Sequence, residues 1–217
     1  NDVHHPRSKL IILENTHNRC GGVVLAPPQI EHAKKVADEH ALKIHLDGAR
    51  IFNAAAELDI PVSTLARDAD SITFCLSKGL CAPVGSVLCG SKDFIAESLR
   101  VRKQLGGGMR QAGILAAAGI IAVKKMSKRL KEDHLRAKRL ADGLADIKGL
   151  VLTLGYPQTN MVFLTLDNDV SLSTKQILEQ LKQQGILIGV IGQRNFRLVT
   201  HYWIDDLAID RTITAFS

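Results

Sequence analysis

The sequence predicts an α/β fold, with a mostly parallel sheet flanked by helices in the first part and a small α+β domain at the carboxyl end. Two observations lead to this prediction. In the first part, continuous apolar runs alternate with segments of helical spacing, which is the pattern of βαβ units. After Gly149 the pattern changes to short strands around a single helix. The 217 residues are enough for one large domain and one small one.

The elements of the first part follow from these patterns in chain order. Three runs predict strands, at residues 9–13, 43–46 and 71–76. The first of them is continuously apolar, which suits a strand buried on both faces. Helices are predicted between these strands, at residues 27–40, 53–58 and 62–67, with Pro27 and Pro28 at the first helix start and Pro61 between the other two. Residues 86–90 follow the third strand too closely for a helical crossover, so this strand should pair antiparallel.

The remaining segments complete the predicted architecture. A charged helix at residues 91–104 ends at a run of three glycines, and the Ala-, Ile- and Leu-rich segment 112–123 is expected to pack in an interior. A long charged helix follows from Ser127, and its His134 is expected at the surface. The later elements are strands at residues 151–154, 161–166, 186–191 and 196–200, with helices at 174–184 and from Asp205, a residue suited to an N-cap. We place the domain boundary between residues 126 and 127.

The charge and the cysteines narrow the classes of function. The net charge is +6, but the densest cations, within residues 124–139, alternate with apolar residues at helical spacing. That pattern indicates a solvated helix face rather than a nucleic-acid surface, and a mild positive charge suits an anionic cofactor. The four cysteines form no CxxC motif and are predicted to be buried free thiols, and no apolar run reaches membrane-spanning length. We therefore expect a cytoplasmic protein without a membrane partner.

Two strand ends carry the residues that point to chemistry. Asp47 ends one apolar run and Lys78 follows the next, 31 positions later, which is about one βαβ repeat. Both should lie at the carboxyl edge of neighbouring parallel strands, where open α/β sheets bind ligands. A lysine and an aspartate there suggest pyridoxal 5′-phosphate chemistry, with Arg50 reaching the same place. The alternatives are that Asp47 only caps a turn and that Lys78 only extends into water.

Five stretches, in order along nearly the whole chain, carry a family resemblance. They are LENTHN at Leu13–Asn18, HLDGARIFNAA at His45–Ala55, LSKGLCAPVGS at Leu76–Ser86, RKQLGGGMRQAGILAAAG at Arg102–Gly119 and RLVTH at Arg197–His201. The chain resembles the low-specificity L-threonine aldolases, which are fold type I enzymes dependent on pyridoxal 5′-phosphate. The resemblance implies that residues 1–126 belong to an incomplete cofactor-binding large domain of the PLP-dependent transferase type and that residues 127–217 form a small carboxyl-terminal domain.

The resemblance also implies individual roles. Lys78 would bind the cofactor covalently, and Asp47 would pair with its pyridinium nitrogen. Arg50 would lie beside the cofactor ring and the substrate carboxylate, and Arg197 would be the main binding group for that carboxylate. His4 matches a histidine near the substrate hydroxyl and would act there as a base or orient the hydroxyl; a surface histidine is the alternative.

Further implications concern the cofactor phosphate and the assembly. Lys103 and Arg110 would reach the phosphate of a neighbouring subunit, so a homo-oligomer, a dimer or a tetramer, is expected. Relatives have a longer amino-terminal part, which would include the Gly-rich phosphate loop and the ring-stacking side chain; the chain here begins at Asn1. Cys81 replaces the glycine that is usual in its loop.

The resemblance predicts a carbon–carbon lyase. It would cleave β-hydroxy-α-amino acids such as L-threonine or L-allo-threonine to glycine and an aldehyde, and no metal ion is expected. Two alternatives remain open at this point. The chain could catalyse another reaction of the same cofactor, β-elimination or transamination, or it could be an inactive remnant that serves as an interaction module.

Overall fold

The protein divides into two compact units, each with one four-stranded sheet. The structure is a computed structural model and describes residues 3–217. The first unit comprises the residues up to Thr16 and Leu25–Lys128; the second comprises His17–Val24 and Arg129–Ser217. The short segment His17–Val24 therefore packs with residues more than a hundred positions away. The domain boundary expected between residues 126 and 127 stays a prediction.

The first unit follows the predicted order of elements. Its strands are β1 (Leu10–Glu14), β2 (Lys43–Asp47), β3 (Ser71–Cys75) and β4 (Ser86–Gly90). Its helices are α1 (Pro27–Glu39), α2 (Ile51–Leu58), α3 (Val62–Ala66), α4 (Lys92–Gln104) and α5 (Gly113–Lys124). The sheet has the order β1-β2-β3-β4. Strands β1, β2 and β3 are parallel and β4 is antiparallel to β3, which confirms the mostly parallel sheet.

The centre of this sheet is built by β2. Ile44 and Leu46 on this strand are completely buried, and Phe52 of α2 packs edge-on against Phe74 of β3, with ring centroids 5.3 Å apart. Burial of these apolar side chains is the main stabilising contribution to the sheet. The position of β2 between two parallel neighbours fixes where Asp47, its last residue, emerges.

The second unit packs one sheet against helices. Its strands are β5 (Leu150–Leu152), β6 (Met161–Leu166), β7 (Gly189–Val190) and β8 (Asn195–Val199), and its helices are α6 (Leu130–Ala145), α7 (Thr174–Gln183) and α8 (Asp206–Phe216). The antiparallel sheet has the order β5-β6-β8-β7. One core cluster, which includes Leu140, Leu164 and Phe196, joins α6, β6, β8 and α8. Asp205 caps α8 by accepting a hydrogen bond from the Ala208 amide, as predicted.

Five expectations from the sequence are wrong. Strand β1 is not covered on both faces, since Ile12 is 64% exposed. Helix α5 does not pack in an interior: Ile114 is 86% exposed and Ile120 is 55% exposed. Its apolar residues lie all around the helix, and its buried residues are Gly119, next to Leu76, and Ala122. The strand expected at residues 186–191 shortens to β7, because only its two residues pair with β8, while Ile186 and Ile188 pack against the core cluster instead.

The other two corrections concern cysteines and a histidine. Cys20 and Cys81 are exposed because they lie in surface turns, and Cys75 and Cys89 are half-buried; all four are free thiols. His134, expected at the surface, is buried. It shares the inward stripe of α6 with Leu130 and Ala137, at the spacing of one helical turn. Within residues 3–217, no helix combines the length and the apolar character needed to cross a bilayer.

Candidate functional site

The carboxyl ends of three parallel strands meet at one edge of the first sheet. Glu14 of β1 is paired with Asp47 of β2, and Asp47 is paired with Thr73 of β3. The loop that carries Lys78 leaves the carboxyl end of β3. The structure thus brings Asp47 and the Lys78 loop to the same edge of neighbouring strands, as their spacing predicts. In parallel sheets this edge is the usual ligand-binding side.

Asp47 is half-buried and is fixed by the turn that follows β2. Its Oδ1 accepts a hydrogen bond from the Ala49 amide at 3.0 Å, so the carboxylate does cap the turn. The Gly48 amide donates to the Thr73 carbonyl at 2.7 Å. A Cβ at Gly48 would lie 2.8 Å from that carbonyl oxygen, so only glycine allows this close approach. The turn holds the carboxylate in one place, and capping uses one of its two oxygens.

Arg50 stands at the start of the next helix. It is the residue before α2 and is half-buried. Its carbonyl accepts the Asn53 amide at 2.9 Å, which begins the helix. Arg50 therefore lies three residues after Asp47, between the end of β2 and the start of α2.

Lys78 lies on a loop that its own hydrogen bonds hold closed. The Leu76 amide donates to the Gly85 carbonyl and the Ala82 amide donates to the Leu76 carbonyl, both at 2.9 Å. The Cys81 amide donates to the Lys78 carbonyl, also at 2.9 Å. Leu80 and Ala82 anchor the loop because they are buried, while the Lys78 side chain is exposed. A fixed backbone with an exposed amine suits a nucleophile that must meet a ligand.

Cys81 has an unusual backbone conformation in this loop. Its φ angle is 60°, in the left-handed region, where a glycine avoids the steric clash of a Cβ. The left-handed conformation at Cys81 therefore agrees with the glycine that the family resemblance implies at this position.

The cations Lys103 and Arg110 flank a turn made of glycines. Lys103 is in the last turn of α4, and its Nζ lies 3.4 Å from the Gly108 carbonyl. The turn is closed by the Gly107 amide, which donates to the Arg102 carbonyl at 2.9 Å. Both Lys103 and Arg110 are exposed. Their charges are thus available at the surface, and their role at a phosphate stays a prediction.

In the second unit, Arg197 is held by a neutral partner. It lies in the middle of β8, paired with Phe163 on one side and with Gly189 on the other. Its Nη1 donates to Oδ1 of Asn18 at 2.6 Å. Within residues 3–217 no carboxylate lies within ion-pair distance of this half-buried guanidinium. A partly buried cation that lacks an acidic partner has its charge available for an anionic ligand.

Asn18 is a residue that the sequence reasoning did not single out. It lies inside the LENTHN stretch, but the signal that identifies it is its contact with Arg197, 179 positions away in the sequence. No local pattern reveals such a contact. An aligned set of relatives in which positions 18 and 197 vary together would be the signal that could find it.

His4 is the predicted site residue nearest to the amino end of the chain. It is exposed and lies in a turn at the start of the described residues, so its role as a base stays a prediction. Among residues 3–217, no three His, Cys, Asp or Glu side chains are grouped closely enough to hold a metal ion.

Comparisons with known proteins agree with the resemblance seen in the sequence. The family described as beta-eliminating lyase matches residues 1–167. The chain is 41% identical over 212 residues to low-specificity L-threonine aldolase 1 of Arabidopsis thaliana, covering 98% of this chain and 59% of that protein. It is 42% identical over 200 residues to the low specificity L-threonine aldolase of Escherichia coli (strain K12), covering 92% of this chain and 57% of that protein.

The fold also matches a solved structure. The structure of Leishmania major threonine aldolase superposes with a TM-score of 0.81 at 19% identity, covering all of this chain and 62% of that one. This likeness confirms the predicted fold class. The chain spans about three fifths of the length of the curated relatives it matches, 59% and 57% in the two cases above.

Proposed function

We propose, for a chain that belongs to the beta-eliminating lyase family, that the protein is a pyridoxal 5′-phosphate-dependent aldolase that cleaves L-threonine and L-allo-threonine to glycine and acetaldehyde. The observation that carries the proposal is the placement of Asp47 and the Lys78 loop at the carboxyl edge of adjacent parallel strands. Sequence identities of 41% and 42% to two proteins named low-specificity L-threonine aldolase support this choice of reaction.

The residues of the first unit fit the cofactor. A lysine amine is the group that condenses with an aldehyde, and a carboxylate is the group that favours a protonated pyridine nitrogen. Asp47 remains able to serve there because its turn contact uses one oxygen. When bound, pyridoxal 5′-phosphate supplies an electron sink for the pair of electrons released at Cα of an amino acid. Lys78 would hold the cofactor, and Asp47 would set its protonation.

The remaining roles concern the substrate. Arg197 would bind the substrate carboxylate, since its half-buried guanidinium faces no acidic side chain among the described residues. A fixed carboxylate limits rotation of the substrate, which helps to orient the bond that breaks. Arg50 would add a second positive charge for the carboxylate or the ring oxygen. His4, or a water molecule, would take the proton of the β-hydroxyl group as this bond breaks.

A homo-oligomer is part of the proposal. The exposed apolar side chains Leu105, Met109 and Ile114, 64–86% exposed, surround the glycine turn between α4 and α5. Apolar surface of this kind marks interaction sites. Its neighbours Lys103 and Arg110 would then face a second subunit and bind the cofactor phosphate there. We also propose the cytoplasm as the location.

The experiment that tests the proposal is a product analysis. Purified protein with added pyridoxal 5′-phosphate is incubated with L-threonine, and glycine and acetaldehyde are quantified. Equal amounts of the two products support the proposal. Ammonia with a keto acid would instead indicate β-elimination, the reaction in the family's description. Absence of any product in the presence of bound cofactor would contradict an aldolase.

A further inference from the structure

We propose that Asn18 is a positioning residue, which orients the Arg197 guanidinium for a carboxylate ligand; this inference rests on the proposed role of Arg197. The Asn18 Oδ1 accepts a hydrogen bond from Arg197 Nη1 at 2.6 Å. An amide oxygen is a neutral acceptor, so it fixes the direction of the guanidinium without neutralising its charge. The remaining N–H donors of the planar fork are then directed as a set.

The backbone under Arg197 is already fixed. Arg197 is paired on both sides within the second sheet, with Phe163 of β6 and Gly189 of β7. The freedom that remains lies in the long side chain, which loses rotamer entropy when it is held for a ligand. A hydrogen bond present before the ligand arrives removes part of that loss from the binding step.

The position of Asn18 is fixed as firmly. Its segment, His17–Val24, belongs to the second unit and is held by two contacts from the start of β6. The Val24 amide donates to Oε1 of Gln158 at 2.9 Å, and Oγ1 of Thr159 donates to the Gly22 carbonyl at 2.9 Å. A Cβ at Gly22 would lie 2.6 Å from the end of the Met161 side chain. The segment therefore fits tightly, and Asn18 is presented by a rigid turn.

Because Asn18 offers a neutral amide oxygen, substitutions at this residue can distinguish a positioning role from a packing role. Asparagine at position 18 leaves the positive charge of Arg197 available. An aspartate at the same distance would form an ion pair with the guanidinium and would compete with a substrate carboxylate. The two substitutions Asn18→Ala and Asn18→Asp should therefore both weaken carboxylate binding, and Asn18→Asp should do so more strongly.

The test measures kcat and KM for L-threonine with the full chain loaded with pyridoxal 5′-phosphate. Asn18→Ala should raise KM by about tenfold with little change in kcat, the effect of losing one hydrogen bond to a charged group used in substrate binding. Asn18→Asp should raise KM by about a hundredfold. Cys20→Ala is the matched control, because it changes an exposed side chain of the same segment without removing the Asn18–Arg197 hydrogen bond, and it should leave KM within about threefold of the wild type.

A second readout does not depend on activity. The Arg197 side-chain nitrogen signals in the NMR spectrum should show a guanidinium that rotates slowly in the wild type and rapidly in Asn18→Ala. Equal KM values for wild type and Asn18→Ala, or equal increases in Asn18→Ala and Cys20→Ala, would overturn the positioning role. Arg197→Ala separates the two proposals: a raised KM there with no effect at Asn18 refutes only the role of Asn18, whereas an unchanged KM refutes the role of Arg197 and this inference with it.

Discussion

The two units differ in the apolar cores that they form. The second unit has one core cluster in which Leu164 and Phe196 are fully buried. In the first unit, by contrast, Ile12 of β1 is 64% exposed and Ile114 of α5 is 86% exposed. Large apolar side chains such as Leu187 and Trp203 are exposed in the second unit as well, so the difference lies in the core cluster that includes Phe196 and Leu198 of β8, the strand of Arg197.

This contrast separates two kinds of function. The proposed cofactor site lies at an open edge of the first sheet, in a unit that also exposes apolar side chains of β1 and α5. The proposed carboxylate recognition lies on a central strand of a well-packed unit, where a guanidinium can be held in one orientation. Changes in the first unit should therefore affect cofactor retention and assembly, and changes in the second should affect substrate affinity and stability.

The largest expected effect comes from Lys78. Lys78→Ala removes the amine that would bind the cofactor, so kcat/KM for L-threonine should fall by at least about a thousandfold. The contrast between the units predicts a different result for Arg197→Ala, which should retain the cofactor and raise KM. Steady-state kinetics with cofactor content measured by absorbance checks both. Loss of the cofactor in Arg197→Ala but not in Lys78→Ala would break the comparison.

The difference in packing can be measured directly. Leu164→Ala, in the core of the second unit, should lower the free energy of unfolding by about 2–5 kcal/mol, because it leaves a cavity that neighbours cannot fill. Ile12→Ala, on the exposed side of β1, should cost less than about 1 kcal/mol. Chemical denaturation followed by circular dichroism checks the pair. Similar losses at both sites would mean that Ile12 is covered in solution, as an oligomer would require.

The two roles of the Asp47 side chain, capping its turn and supplying a negative charge, can be tested separately. Asp47→Asn keeps an oxygen that can accept from the Ala49 amide but removes the negative charge. We expect kcat to fall by about a hundredfold, with a change in unfolding free energy below about 1 kcal/mol. Unchanged kinetics would show that the carboxylate only caps its turn.

The smallest effects concern the dependence of stability on pH. The Lys43 ammonium, 2.8 Å away, and the Ile44 amide hold the pKa of the Asp70 carboxyl below its usual value. This contribution is complete above the unfolded pKa, near 3.8, and is lost as the pH falls further. Because the carboxylate is partly exposed, Asp70→Asn should remove less than about 1 kcal/mol at neutral pH.

The second unit shows the opposite dependence. A hydrogen bond to Asp142 raises the pKa of Tyr156 to about 12. The stabilisation it gives is complete below the unfolded pKa, near 10, and is lost as the pH rises through about 12. The effect of Asp70→Asn on the free energy of unfolding should therefore be present at neutral pH and vanish at the acid end, and that of Tyr156→Phe should be present at neutral pH and vanish at the alkaline end. Crossed responses would show that other groups dominate.

Local patterns predicted much of the fold. Apolar runs identified the parallel strands, although the predicted burial of β1 on both faces was wrong, since Ile12 is 64% exposed. The short gap before Ser86 identified the antiparallel strand. The same patterns placed Asp47 and Lys78 at strand ends. These features depend on residues close in sequence or on a repeat of known length.

The wrong predictions concern features that depend on contacts between residues far apart in the sequence. The apolar composition of α5 suggested an interior, but composition does not reveal whether neighbours cover a helix. His134 is polar, yet its place on the inward stripe of α6 buries it. The segment His17–Val24 joins the second unit through Gln158 and Thr159, so the contact of Asn18 with Arg197 could not be inferred from spacing.

The central claim is that Lys78 is the amine that binds pyridoxal 5′-phosphate. The most direct measurement is to load the full chain with the cofactor, reduce the bound form with borohydride and locate the modified lysine by peptide mass mapping. We predict modification at Lys78 and its absence in Lys78→Ala. Stable modification at another lysine, with Lys78 unmodified, would contradict the account.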